Sequence, residues 1–364
     1  MSASSPRREV RVRLDKRSYL VLVGSGLLAD CGRLLIDSLD GASEVVVVSN
    51  PVVADLYGGA VTDSLAGAGL KVSTVELPDG EESKTLASVE TIYDAVLDLG
   101  GDRSVVVVAL GGGVVGDVAG FAAASVLRGV RSVVMPTTLL AQVDASVGGK
   151  TGVNRRQGKN LVGAFHQPSL VLADIDSLAT LPDREFRAGL AEVVKYGVIL
   201  DASLFDLLEE NGDAIIRRDE GLLAEIVARS VALKAAVVEE DETETSGHRA
   251  ILNFGHTVGH ALEKVTSYSN LLHGEAVAIG MVAAARVSAS RGACGAEVAE
   301  RLVALLVSFG LETEIPGSID RPRLREAISF DKKRQGDLVT FIVSERIGAC
   351  HLEPLSPAAI VDAC

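Results

Sequence analysis

Cysteine is sparse in this chain. Four residues (Cys31, Cys294, Cys350 and Cys364) are scattered over 364 positions without a CxxC pair. That spacing excludes a zinc ribbon or a disulfide framework and leaves ordinary thiols of a reducing compartment. Long apolar runs are missing too. Ala276 to Ala285, one of the longer ones, is cut off by Arg286, well short of the ~18 uninterrupted apolar residues of a membrane span. The opening MSASSPRREV has no apolar core of a secretory signal, so a cytoplasmic protein is expected. Positive charge is in deficit, with 35 Lys and Arg against 49 Asp and Glu and a net charge of -14. A nucleic-acid surface would need a basic stripe, so small molecules are the expected partners, with neither nucleic acid nor membrane.

What is present is ample apolar surface, 48% hydrophobic residues against 23% charged, in a length that predicts about two domains. Short β-branched runs recur up to residue 180: VRVRL at 10–14, YLVLVG at 19–24, EVVVVSN at 44–50, KVSTVEL at 71–77, SVVVVAL at 104–110, SVVMP at 132–136 and LVLADI at 170–175. Val45 to Val48 and Val105 to Val108 are apolar at every position, as strands buried on both faces of a parallel sheet must be. Beyond Leu181-Pro182 long amphipathic stretches take over, such as REFRAGLAEVVKYGVI and EAVAIGMVAAARVSAS. The expected architecture is an α/β domain with a Rossmann-like parallel sheet over residues 1–180. A mostly α-helical domain over 181–364 follows, with ligands in a cleft between the two.

Two stretches point to a nucleotide. The run Ser104 to Leu110 leads into GGGVVGD, where Gly111, Gly113 and Gly116 match GxGxxG ahead of Asp117 and an Ala-rich helix. Glycines there let the backbone approach a pyrophosphate, and the helix N-terminus offers free N–H groups. No acidic residue stands ~20 positions further on to hold a ribose, so this is not the simplest Rossmann unit. Asn50, Glu81 and Lys84, at the ends of other strands, are the alternative contacts, although each also suits a turn or cap. The polar run 136–160, PTTLLAQVDASVGGKTGVNRRQGKN, is too long for an idle loop. Its Asp144, Lys150, Asn154, Lys159 and Asn160 beside Gly148 and Gly149 read as ligand-binding, since lysines flanked by glycine can reach a phosphate.

Four of the six histidines fall between positions 248 and 273. Three lie in NFGHTVGH (Asn253 to His260) and LHGE (Leu272 to Glu275), a density that suggests a metal site. His256 and His260 at i, i+4 would share a helix face, and local spacing nominates them as the ligand pair, leaving His256 with His273 open. Glu192, on the apolar turns of AEVVKYG, is a candidate third ligand. Lys195 beside it is a candidate donor to substrate, and a plain ion pair between the two is the alternative.

Taken together these motifs resemble the 3-dehydroquinate synthase family. The similarity runs in order from Val45 to Phe341 through PDGEESK, ALGGGVVGDVAGFAAA, PTTLLAQVDASVGGKTGVN, GKNLVGAFHQP, TLPDREFRAGLAEVVKYG, RAILNFGHTVGHA, LHGEAVAIGM and DKK. Ala145 and Gly152 depart from the pattern. The resemblance implies a divalent metal, zinc or cobalt, on Glu192, His256 and His273, with His260 turned to the substrate. It implies NAD on Gly111, Gly112, Gly113, Asp117, Thr137, Thr138 and Thr180, with Asn50, Glu81 and Lys84 at the adenosine end and Lys150 and Lys159 also near the cofactor. Asp144, Lys150, Lys195, Lys234, Arg249, Asn253 and His260 are the implied catalytic set. Lys159, Asn160 and Lys333 are implied to meet the substrate's charged groups, and Arg128 to reach a neighbouring subunit's site in a homodimer.

The implied reaction converts 3-deoxy-D-arabino-heptulosonate 7-phosphate to 3-dehydroquinate and phosphate, a step of the shikimate pathway to aromatic amino acids. It proceeds by transient oxidation with NAD, β-elimination of phosphate, re-reduction, ring opening and intramolecular aldol closure. Three rivals are weighed against it. A polyol dehydrogenase using metal and NAD would have no use for the phosphate-binding lysines and Arg249. A cyclase for another sugar phosphate is disfavoured by Lys150, Lys159, Asn160, Arg249 and Lys333 occurring together. A dinucleotide-sensing module would leave the metal residues without a role.

Overall fold

A computed structural model describes residues 7–100, 102–266, 271–329, 334–335 and 338–364. The chain divides into two compact units: Met1–Leu181 with Leu223–Thr243, and Pro182–Leu222 with Glu244–Cys364.

The first unit is built on a seven-stranded sheet. Its strands are β1 (Arg8–Val12), β2 (Tyr19–Gly24), β3 (Glu44–Ser49), β4 (Lys71–Glu76), β5 (Val106–Gly111), β6 (Arg131–Pro136) and, after a separate hairpin, β9 (Leu170–Asp174). The order is β1-β2-β9-β6-β5-β3-β4, and every pairing is parallel except β1 with β2. All seven apolar runs become strands, each shifted by at most two residues at an end. The unbroken valines are explained by side-chain alternation. Val45, Val47, Val106 and Val108 enter one core with Leu34, Leu35 and Leu65, while Val46, Val48, Val105 and Val107 enter another with Val89, Ile92 and Val118. Each strand therefore buries both faces.

The connection from β3 leaves toward β4, and that from β5 leaves the opposite way toward β6. The carboxyl ends of β3 and β5, side by side, thus form the topological switch point at which open α/β sheets bind ligands.

Two sequence expectations need correcting. Residues 136–160 are not a structureless loop: Ala141–Ala145 forms a π-helical turn, and β7 (Lys150–Arg155) pairs antiparallel with β8 (Gly158–Phe165). The hairpin escaped notice because β8 is largely exposed, with no apolar alternation to read. Also, Leu223–Thr243 groups with the first unit rather than with residues 181–364. Helix Glu220–Glu240 buries Leu223, Ile226, Val227, Val231 and Val238, and its polar partners are distant in sequence. Glu225 lies 3.5 Å from Arg8, Glu239 accepts from the Arg13 N–H at 2.7 Å, and Lys234 bonds Asp144.

The second unit is mainly helical, with helices Asp183–Ile199, Ala202–Ile216, His256–Val265, His273–Ser290, Ala296–Ser308, Arg321–Ser329 and Pro357–Asp362. It also holds a three-stranded antiparallel sheet, β10 (Arg334–Gln335), β11 (Leu338–Arg346) and β12 (Ala349–Leu355), that the helical expectation did not include.

Glycines set the approach of its central helices. A Cβ on Gly274 would stand 1.8 Å from the carbonyl oxygen of Ala188, and one on Gly280 would stand 2.0 Å from that of Gly255. Gly255 itself, at φ +79°, caps helix His256–Val265 in the left-handed region and lies against Met281. Helix His273–Ser290 is therefore pressed directly onto the other two.

Candidate active-site residues in each unit

In the first unit, β5 ends at Gly111 and Gly112 caps helix Gly113–Ser125 in an extended conformation. The N–H groups of the first turn are left for a ligand. Gly111, Gly112, Gly113, Gly116, Asp117 and Lys150 line a concave pocket that is open in part to solvent. A Cβ on Gly116 would meet nothing within 4 Å, whereas one on Gly120 would strike the Thr151 methyl at 2.5 Å. Gly116 thus keeps space open, and Gly120 serves packing against β7.

Around this cradle the implied cofactor residues hold one another. Lys84 is buried in contact with Asp117; burial pushes the Asp117 carboxyl up, and the Lys84 ammonium opposes the shift. The backbone N–H of Asn154 donates to the Lys84 carbonyl at 2.8 Å, and its amide donates to Glu81 at 2.7 Å, tying the β7–β8 hairpin to the turn after β4. Lys159 approaches Glu81 at 3.9 Å, and Asn160, at φ 55°, donates its N–H to the Asn154 side chain. Asn50 accepts from the Val53 N–H at 2.9 Å and donates to Asp79 at 2.7 Å, which makes it the cap of a short helix as well as the residue at the switch point.

The Thr137 N–H donates to the Gly111 carbonyl at 3.0 Å, and the Thr138 hydroxyl accepts from the Ala141 N–H at 3.2 Å. Thr180 hydrogen-bonds Tyr57 and the Ser177 carbonyl. Asp144, in the π-helical turn, receives Lys234 Nζ at 2.8 Å. Arg128 falls in a turn where Leu127, Arg128 and Gly129 all have positive φ (50°, 65° and 110°). Two consecutive non-glycine residues there are unusual.

In the second unit the metal candidates converge. The Glu192 carboxylate is fully buried, in contact with Lys195 one turn away on helix Asp183–Ile199. Glu192 Oε1 lies 3.6 Å from His256 Nε2 and 3.6 Å from His273 Nε2. One ligand atom from each of these three residues lies within 4.8 Å of the others. The i, i+4 pairing of His256 with His260 does not describe this cluster. Helix His256–Val265 puts the His260 ring 5.1 Å from that of His256, but the shared carboxylate faces His256 and His273.

Both facing imidazoles have their proton placed by what they touch. His256 Nδ1 lies 3.1 Å from the Phe254 carbonyl, and His273 Nδ1 lies 3.4 Å from Glu263 Oε1. A carbonyl or carboxylate can only accept, so each Nδ1 has a partner for a hydrogen on its far side, while Nε2 is turned to Glu192. Two imidazoles and a carboxylate, each imidazole bonded on its far side, form a donor set suited to a divalent ion such as zinc. Burial holds the His256 imidazole well below its usual range. Burial also pushes His273 down, but Glu192 and Glu263 outweigh it and raise it to about 10.

Glu263 was missed in the sequence. It stands seven residues after His256 and three after His260, on the helix that carries both, and that spacing is the signal that could have found it. Arg249 is 2% exposed, 3.7 Å from Glu244, and the Asn253 amide donates to the Ala250 carbonyl at 3.1 Å. Lys333 lies outside the described residues.

The description "3-dehydroquinate synthase N-terminal" matches residues 74–188, and "3-dehydroquinate synthase C-terminal" matches residues 189–334. The 3-dehydroquinate synthase of Pelobacter propionicus is 52% identical over 340 residues, covering 93% of this chain and 94% of the relative. Among solved structures, the 2-epi-5-epi-valiolone synthase of Streptomyces hygroscopicus, with NAD+ and Zn2+ bound, has a TM-score of 0.87 at 31% identity, covering 96% and 97% of the two chains. A 2-deoxy-scyllo-inosose synthase complexed with carbaglucose-6-phosphate, NAD+ and Co2+ has a TM-score of 0.87 at 28% identity, covering 98% of each. By both family matches and by this identity over nearly its whole length, the chain belongs to the 3-dehydroquinate synthase family.

Proposed function

We propose that this chain is a 3-dehydroquinate synthase, a phosphate lyase that turns 3-deoxy-D-arabino-heptulosonate 7-phosphate into 3-dehydroquinate and inorganic phosphate in the cytoplasm, with NAD and a divalent metal. The single observation that carries the reading is the Glu192, His256 and His273 cluster, whose ligand atoms lie within 4.8 Å of one another, in a chain of this family. When bound, NAD takes and returns a hydride, and the metal lowers the pKa of a substrate hydroxyl as a Lewis acid.

The protein's own groups bind and orient. Gly111, Gly112 and Gly113, with Asp117, Thr137, Thr138 and Thr180, hold the dinucleotide; Lys84 holds Asp117 in place, while Asn50 and Glu81 serve the adenosine end. The buried Arg249 guanidinium offers the planar fork that a substrate carboxylate accepts, and Lys159, Asn160 and Lys333 meet its other charged end. By the family pattern His260 serves the substrate, together with Lys195, Asn253 and Lys150. Lys234 positions Asp144.

The protein acts as a homodimer in which Arg128 serves the partner's site. Support comes from its strained turn and from Leu161, Val162 and Phe165, 43%, 37% and 47% exposed on β8, a set of apolar side chains suited to burial against a second copy. Light scattering of the purified protein checks this, and a monomer at micromolar concentration sinks it.

A cyclase for another sugar phosphate is the second reading, favoured by the likeness to the two cyclase structures. One assay separates the alternatives. Supplied with metal, substoichiometric NAD and the heptulosonate phosphate, the protein should release many phosphates per NAD with no lasting absorbance of NADH. NADH accumulating in step with turnover indicates a dehydrogenase, and no phosphate release with this substrate indicates another cyclase.

A further inference from the structure

We infer that Glu263 is a positioning residue for the metal centre, holding the His273 imidazole in the tautomer that presents Nε2 to the ion. The inference rests on the metal reading above. His273 points two ways: Nε2 lies 3.6 Å from Glu192 Oε1, and Nδ1 lies 3.4 Å from Glu263 Oε1. A neutral imidazole carries one N–H, so a lone pair at Nε2 requires the hydrogen at Nδ1, and an acceptor beside Nδ1 favours that tautomer. For His256 the acceptor is the backbone carbonyl of Phe254 at 3.1 Å.

For His273 the acceptor is Glu263. His273 is the first residue of helix His273–Ser290, whereas Glu263, 7% exposed, comes from helix His256–Val265. The glycine contacts at Gly255 and Gly280, which bring these two helices together, also bring Glu263 to His273. A carboxylate in that place makes the imidazole a stronger donor, as carboxylate partners of metal-bound histidines do.

A second geometric possibility must be separated from this one, because one ligand atom each from His260, Glu263 and His273 also falls within 4.8 Å of the others. Glu263 as a ligand would change the ion's coordination. Glu263 as a positioning residue changes only affinity.

The test uses the full-length protein, with zinc affinity measured by competition against a chromophoric chelator and the visible spectrum recorded after loading with cobalt. Glu263→Ala should weaken zinc about 10- to 100-fold while leaving the cobalt band positions of the wild type. Glu263→Gln, whose amide oxygen can still accept from Nδ1–H, should recover most of the affinity and guards against an Ala variant that fails to fold. His260→Ala should bind zinc as the wild type does. Zinc affinity of a folded Glu263→Ala within twofold of the wild type overturns the inference, and so does a shift of the cobalt bands in either Glu263 variant. If the wild type takes up no stoichiometric zinc, the metal reading falls, and this inference with it. If the wild type binds zinc, Glu192→Ala loses it and Glu263→Ala does not, only the inference falls.

Discussion

Lys234 Nζ lies 2.6 Å from the carbonyl oxygen and 2.8 Å from Oδ1 of Asp144, two residues 90 positions apart in the chain. One ammonium thereby holds both the backbone and the side chain of the π-helical turn Ala141–Ala145, a kind of turn frequent at functional sites.

Lys234→Met removes that clamp. The expected result is a loss of about 2 kcal/mol in urea unfolding, the scale of a hydrogen bond to a charged group, and a larger fall in turnover than in NAD affinity. Asp144→Asn combined with Lys234→Met should cost less than the sum of the two single changes, because the residues act as a pair. Additive losses would show that the contact contributes nothing.

The glycines of helix Gly113–Ser125 should separate binding from packing. Gly116→Ala places its methyl in open space, so the fold should hold or gain up to about 1 kcal/mol from helix propensity, while NAD titration shows weakened affinity. Gly120→Ala drives a methyl toward Thr151 and should lower stability by about 1 to 3 kcal/mol. If Gly116→Ala binds NAD as tightly as the wild type, the cradle does not hold the dinucleotide where proposed.

Alanine at Glu192, His256 or His273 should each abolish metal retention, measured as zinc content after dialysis, and leave NAD binding intact. His260→Ala should keep the metal and lose turnover. Zinc lost from His260→Ala but kept by His273→Ala would restore the i, i+4 pairing.

Metal affinity should rise with pH. Without metal, Glu192 and Glu263 hold His273 up to about 10, while burial keeps His256 neutral. At any pH below the raised value His273 must therefore give up a proton before its Nε2 can bind. Apparent affinity should climb about tenfold per pH unit between pH 7 and 9, with one proton released per ion. Affinities equal at pH 7 and pH 9 would remove the His273 assignment.

Much of the first unit could be read directly. Consecutive valines over 45–48 and 105–108 demanded two buried faces, and the sheet supplies two cores that sort odd from even positions. The hairpin β7–β8 could not be read that way. It gains its order from polar contacts, Asn154 to Glu81 and to the Lys84 carbonyl, and hydrogen bonds leave no periodic trace in a sequence. Helix Glu220–Glu240 was legible as a helix, yet its grouping with the first unit depends on Arg8, Asp144 and other residues far away in the chain.

By itself, then, the sequence determined the seven strands of the first sheet, the glycine loop after β5, the crowding of histidines and the family to which their motifs are similar. Local spacing nominated His256 with His260, because i, i+4 records only neighbours on one helix, whereas the family resemblance implied His256 with His273. Only the tertiary structure decided that Glu192, His256 and His273 face one another and that Glu263 stands behind His273. The reason is steric. Gly274 against the Ala188 carbonyl and Gly280 against the Gly255 carbonyl let three helices approach more closely than any side chain would permit, and that approach joins residues from separate stretches of chain.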